Sequence, residues 1–142
     1  MLAVEKPKHV RKNGDAFETE EEMQFIKNCK NLNLDLFLVG LYQGLRHGEL
    51  LAITDKDIDF EKRTLDINKS LTQNGKFGPT KNDSDRMQPI FNKTYEILLK
   101  YKNIKGRIFK QSYKLADKLF KQALFSIPNQ KYTIKTLRFT FI

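Results

Sequence analysis

These 142 residues lack a second cysteine, so Cys29 cannot close an intramolecular disulfide, and the composition fits a reducing compartment, by default the cytoplasm. Long hydrophobic runs are also missing. The densest, Leu34 to Tyr42, is interrupted by Asp35 and falls far short of the roughly 20 residues that a membrane-spanning helix needs. The N-terminus has no apolar signal-peptide core, and no internal repeat or low-complexity tract is present. These absences exclude a disulfide-stapled scaffold and a helical membrane protein. Acidic residues are few, with 17 Asp and Glu against 26 Lys and Arg, for a net charge of +9. An excess of this size favours a polyanionic partner, nucleic acid foremost. It also suits a surface charged only for solubility, and charge alone does not choose between the two.

A hydrophobic content of 39% in a chain of this length is enough for one sizeable core, since such domains hide roughly two thirds of their unfolded surface. Residues 1–16 are basic and turn-rich, with Lys8, Arg11 and Lys12 among them, and read as a linker or arm; residues 17–142 read as the folded domain. Thr19 followed by Glu20, Glu21 and Glu22 predicts a capped helix to about Lys30 that buries Met23, Ile26 and Cys29. Leu34 to Tyr42 is apolar on nearly every side, which predicts a helix inside the core, ended by Gly44. A short turn of helix is expected from Gly48 to Ile53.

Strand signals follow. Ile58 and Phe60, then Leu65 and Ile67, alternate with polar residues about Glu61-Lys62-Arg63, the pattern of a β-hairpin. A further strand pair is expected around Asn82-Asp83-Ser84, with Pro89 at an edge or an end. Helical spacing then returns. Asn92 can cap a helix with Phe91, Tyr95 and Leu98 along one side, and Ser112 can cap another carrying Leu115, Leu119 and Ala123. Tyr42 and Tyr95 read as core residues, and Tyr101, Tyr113 and Tyr132 as amphipathic surface ones. The class is α+β, mainly helical with a small antiparallel β-sheet.

The stretch Gly44-Leu45-Arg46-His47-Gly48-Glu49-Leu50 sets an arginine on a glycine-flanked corner between apolar helices. Glycines let the backbone turn, and a guanidinium held by rigid elements offers a fixed fork of donors matched to phosphate. An arginine capping a helix C-terminus would also suit the position. Glu49, three residues on, can approach and orient the Arg46 guanidinium, or it is an ordinary solvated glutamate. His47 should point elsewhere and is assigned no role in the chemistry.

This segment resembles the first arginine motif of tyrosine recombinases of the phage-integrase family, in which Gly-Leu-Arg is followed shortly by Glu-Leu. Two more segments fall in the family's order. Thr80-Lys81, before the Asn82-Asp83-Ser84 turn and the Arg86-Met87-Gln88-Pro89-Ile90 strand, resembles the hairpin that presents the family's catalytic lysine. Lys135-Thr136-Leu137-Arg138-Phe139-Thr140-Phe141 resembles its His-x-Leu-Arg-His-Thr-Phe box. The resemblance implies a partial tyrosine-recombinase catalytic domain acting on double-stranded DNA without metal or cofactor. It implies Arg46 and Arg138 on the scissile phosphate, Lys81 as general acid, Lys135 at the first position of the box and Glu49 behind the arginines, with Lys8, Arg11 and Lys12 also on DNA.

Two departures qualify the resemblance. Lys135 stands where the box opens with histidine, and it is a poor proton acceptor at neutral pH; Phe139 replaces the second histidine. The segment that would bear the nucleophilic tyrosine is not found before Ile142, which leaves a fragment, an incompletely represented domain or a decayed integrase as readings. The competing functions are DNA breaking and rejoining by a longer parent, and occupation or regulation of recombination sites without cleavage. A helical protein with no nucleic-acid partner is the third. The parent would be a tetramer on DNA, and this chain alone a monomer.

Overall fold

The computed structural model describes residues 16–80, 85–129 and 131–141. In chain order these form α1 (Thr19–Leu32), α2 (Asp35–Gln43), α3 (His47–Ala52), a 3-10 turn (Asp55–Asp57), β1 (Ile58–Asp59), β2 (Thr64–Ile67), β3 (Ser70–Leu71), β4 (Phe77–Gly78), β5 (Arg86–Pro89), α4 (Asn92–Leu99), α5 (Tyr113–Ala123) and α6 (Lys135–Phe141).

Helix α2 is the axis of the core. Its residues Leu36 to Leu41 are all buried, as an all-round apolar helix requires, and it packs against α1, α3, α4 and α6. An aromatic cluster of Phe17, Phe25, Phe37 and Phe120 fills the space between α1, α2 and α5. Asn33, in the left-handed conformation, ends α1 and turns the chain directly into α2. Gly44 ends α2 at φ 72°, where a side chain would be strained, and a Cβ there would lie 2.4 Å from the Phe141 ring. Gly48 serves another purpose: it brings α3 onto β3 so closely that a Cβ would meet the Ser70 hydroxyl at 2.0 Å and the Leu71 carbonyl at 2.9 Å.

The sheet lies beside this bundle. Antiparallel β1, β2 and β5 run in that order, with Ile58 opposite Leu65 and Ile67 opposite Arg86. The expected Ile58–Ile67 hairpin is therefore present. The second expected strand pair is different: β5 ladders onto β2, while β3 and β4 form a small hairpin of their own. Long-range pairing, invisible to local turn signals, decides this. Pro89, which has no N–H to donate, is the last residue of β5.

Several faces are rotated from expectation. Met23 is 66% exposed and Phe25 takes its place in the core; the cap differs too, since α1 starts after Glu18, whose N–H bonds the Glu21 carboxylate at 2.9 Å, rather than being capped by Thr19. Phe91 precedes α4 as its cap residue, with Asn92 the first helical position. Ser112 does cap α5, accepting from the Leu115 N–H at 3.0 Å, but Ala116 and Phe120 face inward while Leu115 is exposed. Tyr132 is buried, not superficial: its ring meets Phe17 edge-on and its hydroxyl donates to Glu21. Beside it, the Phe17 N–H donates to the Thr140 hydroxyl at 2.9 Å, which fastens the start of the described chain to α6.

Gly48→Ala is expected to lower stability by about 1–3 kcal/mol through overpacking of α3 on β3. A urea midpoint within error of wild type would show that the two elements have room to separate. The Gly48→Ala/Ser70→Gly pair should recover part of the loss, because the Leu71 carbonyl remains in the way.

Candidate functional site

The turn from α2 to α3 and the C-terminal helix α6 place the arginines. With α2 stopped by Gly44, Arg46 occupies the extended position just before α3 (φ −72°, ψ 158°). Glu49, one turn later, is 1% exposed at its side chain and reaches back: Oε1 accepts from the Arg46 backbone N–H at 3.1 Å and Oε2 from Arg46 Nη1 at 3.2 Å. Arg46 thus orients α3 through Glu49 and does not cap the C-terminus of α2. That cap is supplied by Arg138, whose Nη1 donates to the Gly44 carbonyl at 2.8 Å from α6. Arg138 is thereby fastened two residues before Arg46, near enough for the Arg46 charge to act on it.

A third arginine, absent from the sequence-based site, completes the group. Arg86 on β5 forks onto Glu49, with Nη1 on Oε2 and Nη2 on Oε1, both at 3.0 Å. Buried Gln43 holds β5 in place, donating to the Pro89 carbonyl at 2.7 Å and to the Gln88 side-chain oxygen at 3.0 Å. Strand alternation turns Arg86 and Gln88 toward the helices and leaves Met87 exposed. That inverted pattern, polar residues inward and methionine outward, is the sequence signal that could have marked Arg86.

Electrostatics follow from this packing. Burial alone would raise the Glu49 carboxyl; the Arg86 fork, the Arg46 N–H and both guanidinium charges overcome it and hold Glu49 below its ordinary value of 4.5. Arg138 is pushed down, first by burial and then by repulsion from Arg46 and Arg86, with Glu49 opposing. It remains a cation, since arginine does not deprotonate in proteins. Three guanidiniums around one carboxylate leave a local excess of positive charge, suited to a tetrahedral or planar oxyanion.

The remaining predicted residues divide. Lys135 is exposed on α6, three positions before Arg138 and hence on the same side of the helix. Lys81, Lys8, Arg11 and Lys12 lie outside the described residues. His47 stacks on Tyr113 of α5, with ring centroids 3.8 Å apart, and burial depresses it against a smaller upward pull from Asp117. The five tyrosines are all described: Tyr95 donates to the Phe60 carbonyl, Tyr101 to Asp35 and Tyr132 to Glu21, while Tyr42 lies under Lys93 and Tyr113 against His47.

Solved structures share this arrangement of elements. The Tn1549 transposon integrase in complex with transposon right end DNA superposes with a TM-score of 0.77 at 19% identity, covering 89% of this chain and 51% of that one. XerA recombinase gives 0.69 at 17% identity over 98% of this chain and 51% of that one. The fold is that of a tyrosine-recombinase catalytic domain. The integrase of mycobacterium phage Brujita matches the same recombinase fold at a TM-score of 0.64, with 18% identity over 96% of this chain and 45% of that one. In sequence, 81 residues are 32% identical to Prophage integrase IntR of Escherichia coli (strain K12), which is 57% of this chain and 20% of that protein. The chain therefore spans about half of the matched structures and a fifth of the curated relative. No protein-family profile matches it. Among the described residues, no helix is long and apolar enough to cross a membrane.

The depressed Glu49 carboxyl gives a signed expectation. Its folded form holds a proton less tightly than the unfolded chain does, so its stabilising effect is complete above the ordinary value and is lost as pH falls through the lower folded value. Glu49→Gln should cost about 2–3 kcal/mol at pH 7, discounted because Arg46 and Arg86 are partly exposed, and the cost should shrink at acid pH. Denaturation curves for both proteins from pH 7 down to about 3 check this; a pH-independent difference would contradict it.

Proposed function

We propose that this chain binds double-stranded DNA as the phosphate-clamping part of a tyrosine recombinase that integrates or rearranges DNA by breaking and rejoining strands. What supports the reading is that Arg138 bonds the Gly44 carbonyl at the corner that carries Arg46, and that each arginine has guanidinium nitrogens beyond those bonded to Glu49 and Gly44. The recombinase fold and the DNA bound by the Tn1549 integrase support it. In the proposed reaction a tyrosine hydroxyl attacks the scissile phosphorus in line. The bond from phosphorus to the 5′-oxygen breaks, a 3′-phosphotyrosyl ester forms, the phenol proton passes to solvent, and the 5′-oxygen takes up a proton and leaves as a hydroxyl. Arg46 and Arg138 bind the non-bridging oxygens and stabilise the charge of the pentacoordinate transition state, a contribution on the order of 10²- to 10³-fold for each donor group.

Lys81 protonates the leaving oxygen in this scheme, and Lys135 donates to the phosphate where the family's box has histidine. In this scheme the attacking tyrosine is none of the five here, of which Tyr95, Tyr101 and Tyr132 have their hydroxyls bonded to Phe60, Asp35 and Glu21. Residues 1–16, through Lys8, Arg11 and Lys12, form a basic arm along the duplex. The protein acts in the cytoplasm, as a monomer by itself and within a tetramer on paired sites in its parent. The hydroxyls of Tyr95, Tyr101 and Tyr132, bonded to Phe60, Asp35 and Glu21, favour a second reading, in which the chain occupies recombination sites without cutting them.

Duplex binding should weaken with salt, and Arg46→Ala or Arg138→Ala should each reduce the log-log salt slope by about one. Unchanged slopes in both variants would remove the clamp. In the longest natural reading frame carrying this chain, a covalent adduct lost in either variant selects strand breakage; site-specific binding with no adduct selects occupancy.

A further inference from the structure

The Glu49 carboxylate accepts four hydrogen bonds in a particular division. Each oxygen takes one bond from Arg46, through its backbone N–H or Nη1, and one from an Arg86 terminal nitrogen. A carboxylate alone with an arginine prefers a two-pronged pairing that occupies two guanidinium nitrogens. Here Arg86 takes that pairing. Arg46 is held to Glu49 by Nη1 alone, at the longer distance of 3.2 Å, and its other guanidinium donors make no bond among the described residues.

We infer that Arg86 is a positioning residue for the clamp: by occupying both oxygens of buried Glu49 it keeps Arg46 to a single side-chain contact and points the rest of that guanidinium at the phosphate. The inference rests on the phosphate-clamp reading above. Arg86 is well placed for the task because β5 cannot drift: Arg86 pairs with Ile67 in the ladder, and Gln43 ties Gln88 and Pro89 to the end of α2. The strand, the α2 terminus and the α2–α3 corner therefore share one set of bonds. Removing the Arg86 fork frees Glu49 to close its own two-pronged pair with Arg46, which withdraws a donor from the phosphate without removing a phosphate contact made by Arg86.

The test uses the full chain with Arg86→Gln and Arg86→Lys. Two readouts are taken: the side-chain Nε–H resonance of Arg46 in the free protein, assigned by its loss in Arg46→Ala, and duplex binding across salt. The Arg46 resonance should move in Arg86→Gln and less in Arg86→Lys. DNA affinity should fall about tenfold in Arg86→Gln, the size typical of a residue that orients a contacting group, with the salt slope kept to within about half a unit, in contrast to the loss of about one in Arg46→Ala. A slope lowered by about one in Arg86→Gln with the Arg46 resonance unmoved would make Arg86 a direct phosphate contact and overturn the inference. So would an Arg86→Gln protein unchanged in both readouts. If wild type fails to bind duplex DNA, the clamp reading falls, and a moving resonance still upholds the Arg86-to-Arg46 coupling. Should Arg86→Gln not fold, Arg86→Lys, which keeps the charge and loses the planar fork, carries both readouts.

Discussion

A buried carboxylate must be met by cations, and that requirement organises this protein. The Glu49 side chain is 1% exposed, and an unpaired charge at such a site is strongly destabilising. Arg46 and Arg86 satisfy it from two elements that share no sequence neighbourhood, one at a helix corner and the other on a strand. Glu49 ties the sheet to the helical bundle through Arg86. A cluster that concentrates positive charge thereby also fixes how the layers meet.

The surrounding packing makes this arrangement rigid. The α2–α3 turn is short, its first residue is a left-handed glycine, and its second helix lies against β3 with no space at Gly48. Gln43, wholly buried, has its amide used by β5, so the polar cost of its burial is offset by hydrogen bonds that also align the strand. Arg138 replaces solvent at the end of α2, where exposed carbonyls and the negative pole of the helix favour a cation. Each contact answers a local deficit, and their sum is a surface on which guanidinium donors stay directed without a ligand to hold them. Preorganisation of this kind is what an anionic transition state exploits.

The parts legible in the sequence were those governed by local chemistry. Apolar spacing revealed α2 as a core helix, Gly44 its end, Ser112 the cap of α5, and Glu61-Lys62-Arg63 the turn of the first hairpin. The Gly-Leu-Arg and Lys-Thr-Leu-Arg segments marked Arg46 and Arg138, and the structure joins Arg138 to the Gly44 carbonyl of the first segment. What could not be read depended on distance. The choice of β2 as partner for β5 is made by pairing across the intervening β3–β4 hairpin, so the second sheet edge was misassigned. Arg86 was passed over for the same reason, since nothing near it in the chain reveals the buried glutamate that it meets. Met23 and Leu115 show a smaller failure, in which an apolar residue of the right period is exposed while Phe25 on α1, and Ala116 and Phe120 on α5, face the core instead.

The bond from the Phe17 amide to Thr140 has a mechanical meaning. The Phe17 ring lies against Phe25 and Tyr132, and Thr140 also donates to the Thr136 carbonyl one turn back on α6, so the attachment is both apolar and polar. Phe17 is thus moored directly to the helix that holds Arg138, so a displacement of Phe17 has to break this bond or carry α6 with it.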